Sequence, residues 1–296
     1  MPTSTEFFGY HFTNLGPLTT TYEPPASCTT VTTDHIYYAN ASDLTSQYGA
    51  VSCGPDKMGD CYPSGSDHDK INSQNLKTGG HPTVDYFSPG VICPKGWTTA
   101  GIFAPDNEAT KGGVFTKDLG TLGDRLGPED VWGGILEPGE TVALCCPSGW
   151  TGDVWDWGCI SSIQPFESGT YSEYCQQAMP ISAIGSAYTV GTSVFSDPIF
   201  SARTYDVDET TKPFTTGAGA WPTDLGEVAI IRKFPGVAMV HKEEDVKEAR
   251  ETNSRDEDDS EDADDDNAAS TLNGARFAPV VAVFVSMLVG VGMLLN

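Results

Sequence analysis

The eight cysteines are the residues of this chain whose types and spacing could do chemistry, and that chemistry is cross-linking. All of them lie between positions 28 and 175. Their even number is typical of disulfides made in an oxidising compartment. Zinc is the competing ligand, but no two cysteines have the Cys-x₂-Cys spacing and the histidines are scattered. The cysteines are Cys28, Cys53, Cys61, Cys93, Cys145, Cys146, Cys159 and Cys175.

A short motif containing cysteine occurs twice. Residues 93–98 read Cys-Pro-Lys-Gly-Trp-Thr, and residues 146–151 read Cys-Pro-Ser-Gly-Trp-Thr. Proline fixes φ and glycine accepts positive φ, so each copy predicts a turn. Trp97 and Trp150 follow these turns, and we expect their rings to cover disulfides in a domain with a small core.

The spacing of the cysteines also suggests how they pair. Neighbouring Cys145 and Cys146 are not expected to bridge each other, because disulfide geometry is difficult between adjacent residues. Short segments favour local bridges, and the remaining cysteines would close larger loops. The four predicted bridges are Cys53–Cys61, Cys146–Cys159, Cys93–Cys145 and Cys28–Cys175.

No segment carries a recognisable catalytic arrangement. Residues 66–69, Ser-Asp-His-Asp, could suggest an acid–base pair, but no nucleophile or orienting group accompanies them, so we interpret them as a solvated loop. We expect no catalytic residue, no cofactor and no metal. With 16 basic and 41 acidic residues, the net charge of −25 also argues against nucleic acid as a partner.

Two tryptophans are candidates for contact with a glycan. Trp155 and Trp157 alternate with Asp153 and Asp156, which predicts an edge strand with both rings on one face. Exposed aromatic faces there could stack on sugars.

The composition predicts a mainly β protein. The 32 glycines and 20 prolines favour short strands and many turns. Strands are predicted at 187–190, 194–195, 228–234 and 237–240, with Pro235-Gly236 as a turn or bulge. We expect a disordered N-terminus at 1–16 and one cysteine-rich, extracellular β domain at 17–242. Its long loops would span 64–82 and 104–139, the second anchored by Trp132.

The sequence of the C-terminal part predicts an acidic stalk followed by a hydrophobic segment. Residues 243–276 form an acidic stalk and spacer, beginning with a short helix at 243–255 and disordered further on. Residues 277–295 are uncharged over 19 positions, about the length that crosses a bilayer as a helix. The segment is either a GPI-attachment signal with lipidation at Asn267, a retained transmembrane helix or a cytosol-facing tail anchor.

Two further features concern the secretory pathway. Asn40-Ala41-Ser42 is a glycosylation sequon, placing the acceptor at Asn40. The first 20 residues have neither the basic start nor the apolar run of a signal peptide, so we expect a gene model whose leader is missing.

Three strings identify a resemblance. They are Gly-Pro-Leu-Thr-Thr-Thr-Tyr-Glu-Pro-Pro-Ala-Ser-Cys at 16–28, Ser-Pro-Gly-Val-Ile-Cys-Pro-Lys-Gly-Trp-Thr at 88–98 and Cys-Cys-Pro-Ser-Gly-Trp-Thr at 145–151. Over roughly 16–242 the chain resembles uncharacterised cysteine-rich, membrane-anchored surface proteins of filamentous fungi. The resemblance implies a leader, a cysteine-rich ectodomain and a membrane anchor, and it brings no catalytic residue.

The expected function is therefore that of a non-enzymatic, cell-wall-associated protein on the outer face of the plasma membrane. Its partners would be the lipid bilayer, through the tail, and cell-wall glycans. The alternatives are a glycan-binding surface module and a single-pass membrane protein with a receptor-like ectodomain.

Overall fold

The computed structural model describes residues 1–3, 5–30, 35–107, 110–116, 126–153, 157–165, 171–214 and 224–256. The chain divides into two compact units, Met1–Asp258 and Asp259–Asn296, and all described residues belong to the first. Trp155, Asn267, the stalk beyond residue 256 and the apolar segment 277–295 lie outside the described residues.

The described part of the chain is mainly β, as predicted, with three α-helices. The helices are α1 Gly65–Asn75, α2 Pro128–Gly133 and α3 Glu243–Asp256. The strands are β1 Glu6–Phe7, β2 Tyr10–Asn14, β3 Ile36–Asn40, β4 Asp43–Ala50, β5 Thr78–Gly79, β6 Thr83–Tyr86, β7 Trp97–Phe103, β8 Gly112–Gly113, β9 Glu140–Pro147, β10 Thr151–Gly152, β11 Gly158–Pro165, β12 Glu173–Gln177, β13 Ile184–Val190, β14 Ser193–Ala202, β15 Tyr205–Asp206, β16 Glu209–Pro213, β17 Val228–Pro235 and β18 Val237–Lys242.

Two antiparallel sheets form the centre of the fold. One has the order β10-β11-β17-β3-β4, and the other has the order β18-β9-β7-β8. Only Gly236 separates β17 from β18, so the chain changes sheets at this residue. A Cβ on Gly236 would lie 2.4 Å from the carbonyl oxygen of Trp157, which explains why glycine is needed here. The predicted turn or bulge is therefore a corner between sheets.

Smaller sheets surround these two. The strands β1, β2 and β6 form a third sheet in which β2 and β6 run parallel. Three two-stranded sheets pair β12 with β16, β13 with β14, and β15 with β5. The chain of β6 continues to Phe87, whose amide and carbonyl bond to β18, so the third sheet is attached to the four-stranded one.

The two copies of the motif lie side by side on β7 and β9, where Trp97 is the register partner of Pro147. Each copy makes the predicted turn: the amides of Trp97 and Trp150 donate to the carbonyl oxygens of Pro94 and Pro147 at 2.9 and 3.0 Å. The turn glycines have φ values of +78° and +81°. Both tryptophan rings are half-buried against a cluster of bridged cysteines, so the expectation that they cover disulfides is confirmed.

All eight cysteines are bridged. The predicted pairs Cys93–Cys145 and Cys146–Cys159 are confirmed. The other two predicted pairs, Cys53–Cys61 and Cys28–Cys175, are wrong. The observed bridges are Cys28–Cys61 and Cys53–Cys175.

Contacts with α1 explain why Cys53 and Cys61 do not bridge each other. The carboxylate of Asp69 accepts hydrogen bonds from the amides of Met58 and Gly59 at 2.7 and 3.1 Å. The segment between Cys53 and Cys61 is therefore bound to α1 instead of closing a loop on itself.

The N-terminus and the segment 64–82 differ from the sequence prediction. Residues 1–16 were expected to be disordered, but they contain β1 and β2, and Phe12 is buried in the core. The long loop expected at 64–82 contains α1 and β5 instead. The reason is tertiary: β2 gains hydrogen bonds from β6, and α1 is fixed through Asp69, so neither depends on its own propensity.

The core is divided between two large clusters. The first surrounds Trp132, whose predicted role as an anchor is confirmed by an exposure of 1%. The second contains the buried cysteines Cys145, Cys146 and Cys159 with Phe87 and Met239. The domain thus combines an aromatic core with a disulfide-rich one.

The helix predicted at 243–255 is α3. Its Glu243 Oε1 and Lys247 Nζ lie 2.7 Å apart, one turn from each other. Both side chains are exposed, so the pair contributes little to stability. No helix in the described part of the chain is long and apolar enough to cross a membrane.

Candidate functional site

A cleft of about 730 Å³ is lined by parts of the chain that are distant in sequence. Its walls come from the start of β3, the end of β4, the helix α1, the strand β6 and the β17–β18 corner. Three histidines, three carboxylates and one lysine line it. They are His35, His68, His81, Asp56, Asp85, Glu209 and Lys233.

His35, Tyr37 and Asp56 form the first polar group of the cleft. The Tyr37 hydroxyl donates to Asp56 Oδ2 at 3.1 Å, and burial followed by the nearby Asp56 charge raises the pKa of Tyr37. His35 Nδ1 lies 3.5 Å from the same oxygen. His35 is 3% exposed, and neither ring nitrogen makes a hydrogen bond among the described residues. Because unpaired buried polar atoms are costly, this ring is a candidate ligand contact.

Lys233 supplies the positive charge of the cleft. Its Nζ donates to Gln47 Oε1 at 3.1 Å and lies 5.0 Å from the centre of the Tyr37 ring. Burial lowers the pKa of Lys233, while Asp153 and Asp56 act in the opposite direction. Gln47 also donates to Asp153 Oδ2 at 2.7 Å, so the lysine is part of a connected polar network.

Trp157 forms the inner wall of the cleft. It is 8% exposed, and its indole Nε1 is buried without a hydrogen-bond partner among the described residues. Its backbone has a φ of +59°, which is uncommon for a bulky residue and indicates strain held by the surrounding structure. Trp157 therefore combines an unsatisfied donor with an imposed backbone conformation.

His68, Asp85 and Tyr62 form the second polar group. His68 Nδ1 lies 2.9 Å from Asp85 Oδ2, and the Tyr62 ring stacks on the imidazole at 4.2 Å between centroids. An ionised carboxylate only accepts, so this contact places a proton on Nδ1. The contact and the stacked Tyr62 ring fix the orientation of the imidazole at the wall of the cleft.

The described residues contain one group with spacing for a metal, namely Cys53, Cys175 and Glu209. The two sulfurs are joined in a disulfide, so they are not thiolate ligands. The polar side chains of the cleft can donate and accept hydrogen bonds.

Of the site residues predicted from the sequence, Trp157 was expected to be exposed on an edge strand. This prediction is wrong, because the Trp157 ring packs edge-on against the Trp132 ring at 6.0 Å between centroids. Asn40 ends β3 and is half-buried, with its Oδ1 accepting from the Ser42 amide and hydroxyl at 2.9 and 2.7 Å. Trp155 and Asn267 lie outside the described residues.

Sequence reasoning missed the polar residues of the cleft. Segment 66–69 was interpreted as a solvated loop, whereas His68 is buried on α1 beside Asp85. A usable signal was Lys233, a charge within the apolar run Val228–Pro235. For His35 and Asp56 no local signal exists, because their significance depends on contacts between distant segments.

The buried phenols predict loss of stability in alkali. Burial followed by the Asp85 charge raises the pKa of Tyr62, as burial and Asp56 do for Tyr37. A phenol whose pKa is higher in the folded state than the unfolded value of 10.0 stabilises the fold fully at any pH below 10.0. This stabilisation is lost progressively as the pH rises above 10.0. We expect the free energy of unfolding to fall by up to about 1.4 kcal/mol per pH unit for each such phenol.

Parallel titrations of phenolate absorbance and circular dichroism will check this. The buried phenols should ionise only as the fold is lost, and Tyr62→Phe should reduce the slope above pH 10. Replacement of the exposed Tyr188 by Phe serves as the control. Ionisation of every tyrosine near pH 10 in a folded protein would contradict the prediction.

Comparison of the whole chain with family models, with curated proteins and with solved structures finds no match, so the function has to be inferred from the site and the fold.

Proposed function

We propose that the chain is a non-enzymatic cell-surface protein whose ectodomain acts by binding a ligand in the cleft. It would fold in the secretory pathway and be held at the outer face of the plasma membrane by its C-terminal segment. The observation that carries the proposal is that all eight cysteines of the ectodomain are bridged. Four such bridges persist in oxidising compartments and are rare in the cytosol of most cells.

The sequence of the C-terminal part supports the anchor. Residues 243–266 carry 14 acidic and 3 basic residues, and the uncharged run 277–295 follows a polar spacer. Small residues at 267–269, a spacer and a terminal apolar run are the order of parts in a GPI signal. Asn267 is the proposed attachment residue, and a retained single-pass helix is the alternative.

The position of Asn40 supports passage through the secretory pathway. The sequon comprises Asn40, the last residue of β3, and the two residues that connect it to β4, where Asn40 and Asp43 are register partners. A hairpin turn is a surface position, as glycosylation requires. We therefore propose Asn40 as a glycosylated residue.

The experiment that tests the anchor is mass spectrometry of the mature protein, expressed from its complete native gene in a eukaryotic host, combined with phospholipase treatment of intact cells. We expect a mature C-terminus near Asn267 and release of the protein by a phosphatidylinositol-specific phospholipase. Val285→Lys should block processing, because a charge at the centre of an apolar segment costs about 2.5–3.5 kcal/mol on insertion.

Ser270→Lys, in the polar spacer, is the matched control and should be processed normally. A mature chain that retains residues 277–296 would show that the anchor is a transmembrane helix and not a GPI group. A chain found in the cytosol with reduced cysteines would refute the cell-surface function itself.

A further inference from the structure

We propose that the cleft binds a neutral, polyhydroxylated ligand, namely a sugar residue of a glycan, through Asp56, His35 and Trp157. The inference rests on the proposed function, because it gives the chemical class of the ligand that the ectodomain would bind. The proposed glycan site is therefore the cleft, and not the exposed edge strand that the sequence predicted.

Two buried polar side chains in the cleft have no hydrogen-bond partner among the described residues. The indole Nε1 of Trp157 is a donor only, so its partner must accept a hydrogen bond. The ring nitrogens of His35 can donate or accept; neither is hydrogen-bonded, although Nδ1 lies 3.5 Å from Asp56 Oδ2. Both residues line the same cleft, so one bound molecule could satisfy both.

Asp56 adds a requirement of the opposite kind. Its side chain is 26% exposed, and the ionised carboxylate has lone pairs beyond the one that accepts from Tyr37. The ligand must therefore donate to Asp56 while accepting from Trp157. Hydroxyl groups both donate and accept, and a sugar presents several of them on one small ring.

The polar groups of the cleft favour a neutral ligand. Asp56, Asp85 and Glu209 line it, against the single lysine Lys233, so an anion would be repelled. The excess of carboxylates would attract a cation, but an ammonium or guanidinium group has no acceptor for the indole N–H of Trp157. A neutral hydroxyl group supplies both a donor and an acceptor.

The size and the aromatic walls agree with a sugar. A volume of about 730 Å³ falls within the range of small-molecule sites. Phe8 and Tyr10 line the cleft and lie against His81, with ring centroids 5.5 and 4.4 Å from the imidazole. Aromatic surface of this kind can pack against the C–H face of a sugar ring while the polar groups bind its hydroxyls.

The test measures binding of the purified full-length chain to a panel of neutral and anionic polysaccharides. The neutral probes are β-glucan, mannan and chitin oligomers, and the anionic probe is polygalacturonate. We expect retention on at least one neutral probe and none on polygalacturonate. Asp56→Asn and Trp157→Phe should each weaken binding about 10-fold or more. Trp157→Phe removes a hydrogen-bond donor, and Asp56→Asn replaces one acceptor oxygen by a donor and removes the charge that strengthens the hydrogen bond.

Trp97→Phe is the matched control, since Trp97 is half-buried and does not line the cleft. It should change the dissociation constant less than about twofold, the scale of a substitution outside the site. Circular dichroism will verify that each variant is folded, and Asp56→Asn keeps the test decisive if Trp157→Phe unfolds.

Three results would overturn the inference: no neutral probe is retained, polygalacturonate binds more tightly, or Trp97→Phe weakens binding as much as the cleft variants do. In each case a chain that is still anchored and bridged at the cell surface would leave the cell-surface assignment intact.

Discussion

Replacing Cys53 and Cys175 together by serine is expected to lower the free energy of unfolding by about 5 kcal/mol, the largest effect of any disulfide in the chain. This bridge spans 122 residues, and a longer closed loop restricts the unfolded chain more strongly. The Cys146–Cys159 bridge spans 13 residues, so Cys146→Ser with Cys159→Ser should cost about 3 kcal/mol on the same basis.

Denaturant unfolding measures both costs, and thiol titration tests the pairing. The variant lacking Cys53 and Cys175 should show no free thiol, because Cys28 and Cys61 remain bridged. Two free thiols would indicate that Cys53 and Cys175 had been bridged to Cys61 and Cys28 instead. A smaller cost for the long loop than for the short one would show that burial of Cys146 and Cys159, which are both fully buried, outweighs loop length.

The long bridge also bears on the cleft. Cys175 lines the cleft on β12, and a Cβ on Gly49 at the end of β4 would lie 3.3 Å from the Cys175 carbonyl oxygen. The bridge from Cys53 therefore holds two walls of the cleft in contact. We expect glycan binding to weaken when this bridge is removed and to persist when Cys146–Cys159 is removed.

What the sequence predicted correctly is local. The Pro-x-Gly turns before Trp97 and Trp150 need only four residues each, and both turns form as expected. The Cys146–Cys159 pair closes a short segment, so spacing alone was informative. Strands β17 and β18 were visible because each begins with four consecutive apolar residues, 228–231 and 237–240, all of which are buried.

What it could not predict depends on distant contacts. The helix α1 has the sequence Gly-Ser-Asp-His-Asp-Lys-Ile-Asn-Ser-Gln-Asn, in which Ile71 is the one aliphatic residue, so no apolar periodicity marks it. His35, Asp56 and Trp157 line one cleft only because the starts of β3 and β11 and the loop before α1 are brought together. Residue types at such separations carry no signal of proximity.

Trp132→Ala should lower the free energy of unfolding by about 3–5 kcal/mol, the usual cost of truncating a buried tryptophan. The ring is 1% exposed and packs edge-on against Phe12, Tyr86 and Trp157, at centroid distances of 5.3, 6.1 and 6.0 Å. It thereby joins α2 to the third sheet and to the inner wall of the cleft. Removing it would leave a cavity that rigid sheets cannot close.

Urea unfolding of Trp132→Ala and Trp132→Phe, with Trp97→Ala as the control, measures this contribution. Trp97 is half-buried at the edge of the disulfide cluster, so its truncation should cost less than that of Trp132. Trp132→Phe should lie between wild type and Trp132→Ala, because it keeps an aromatic ring in the site. An equal cost for Trp97→Ala and Trp132→Ala would show that the cluster around the bridged cysteines, not the aromatic cluster, dominates the stability of the domain.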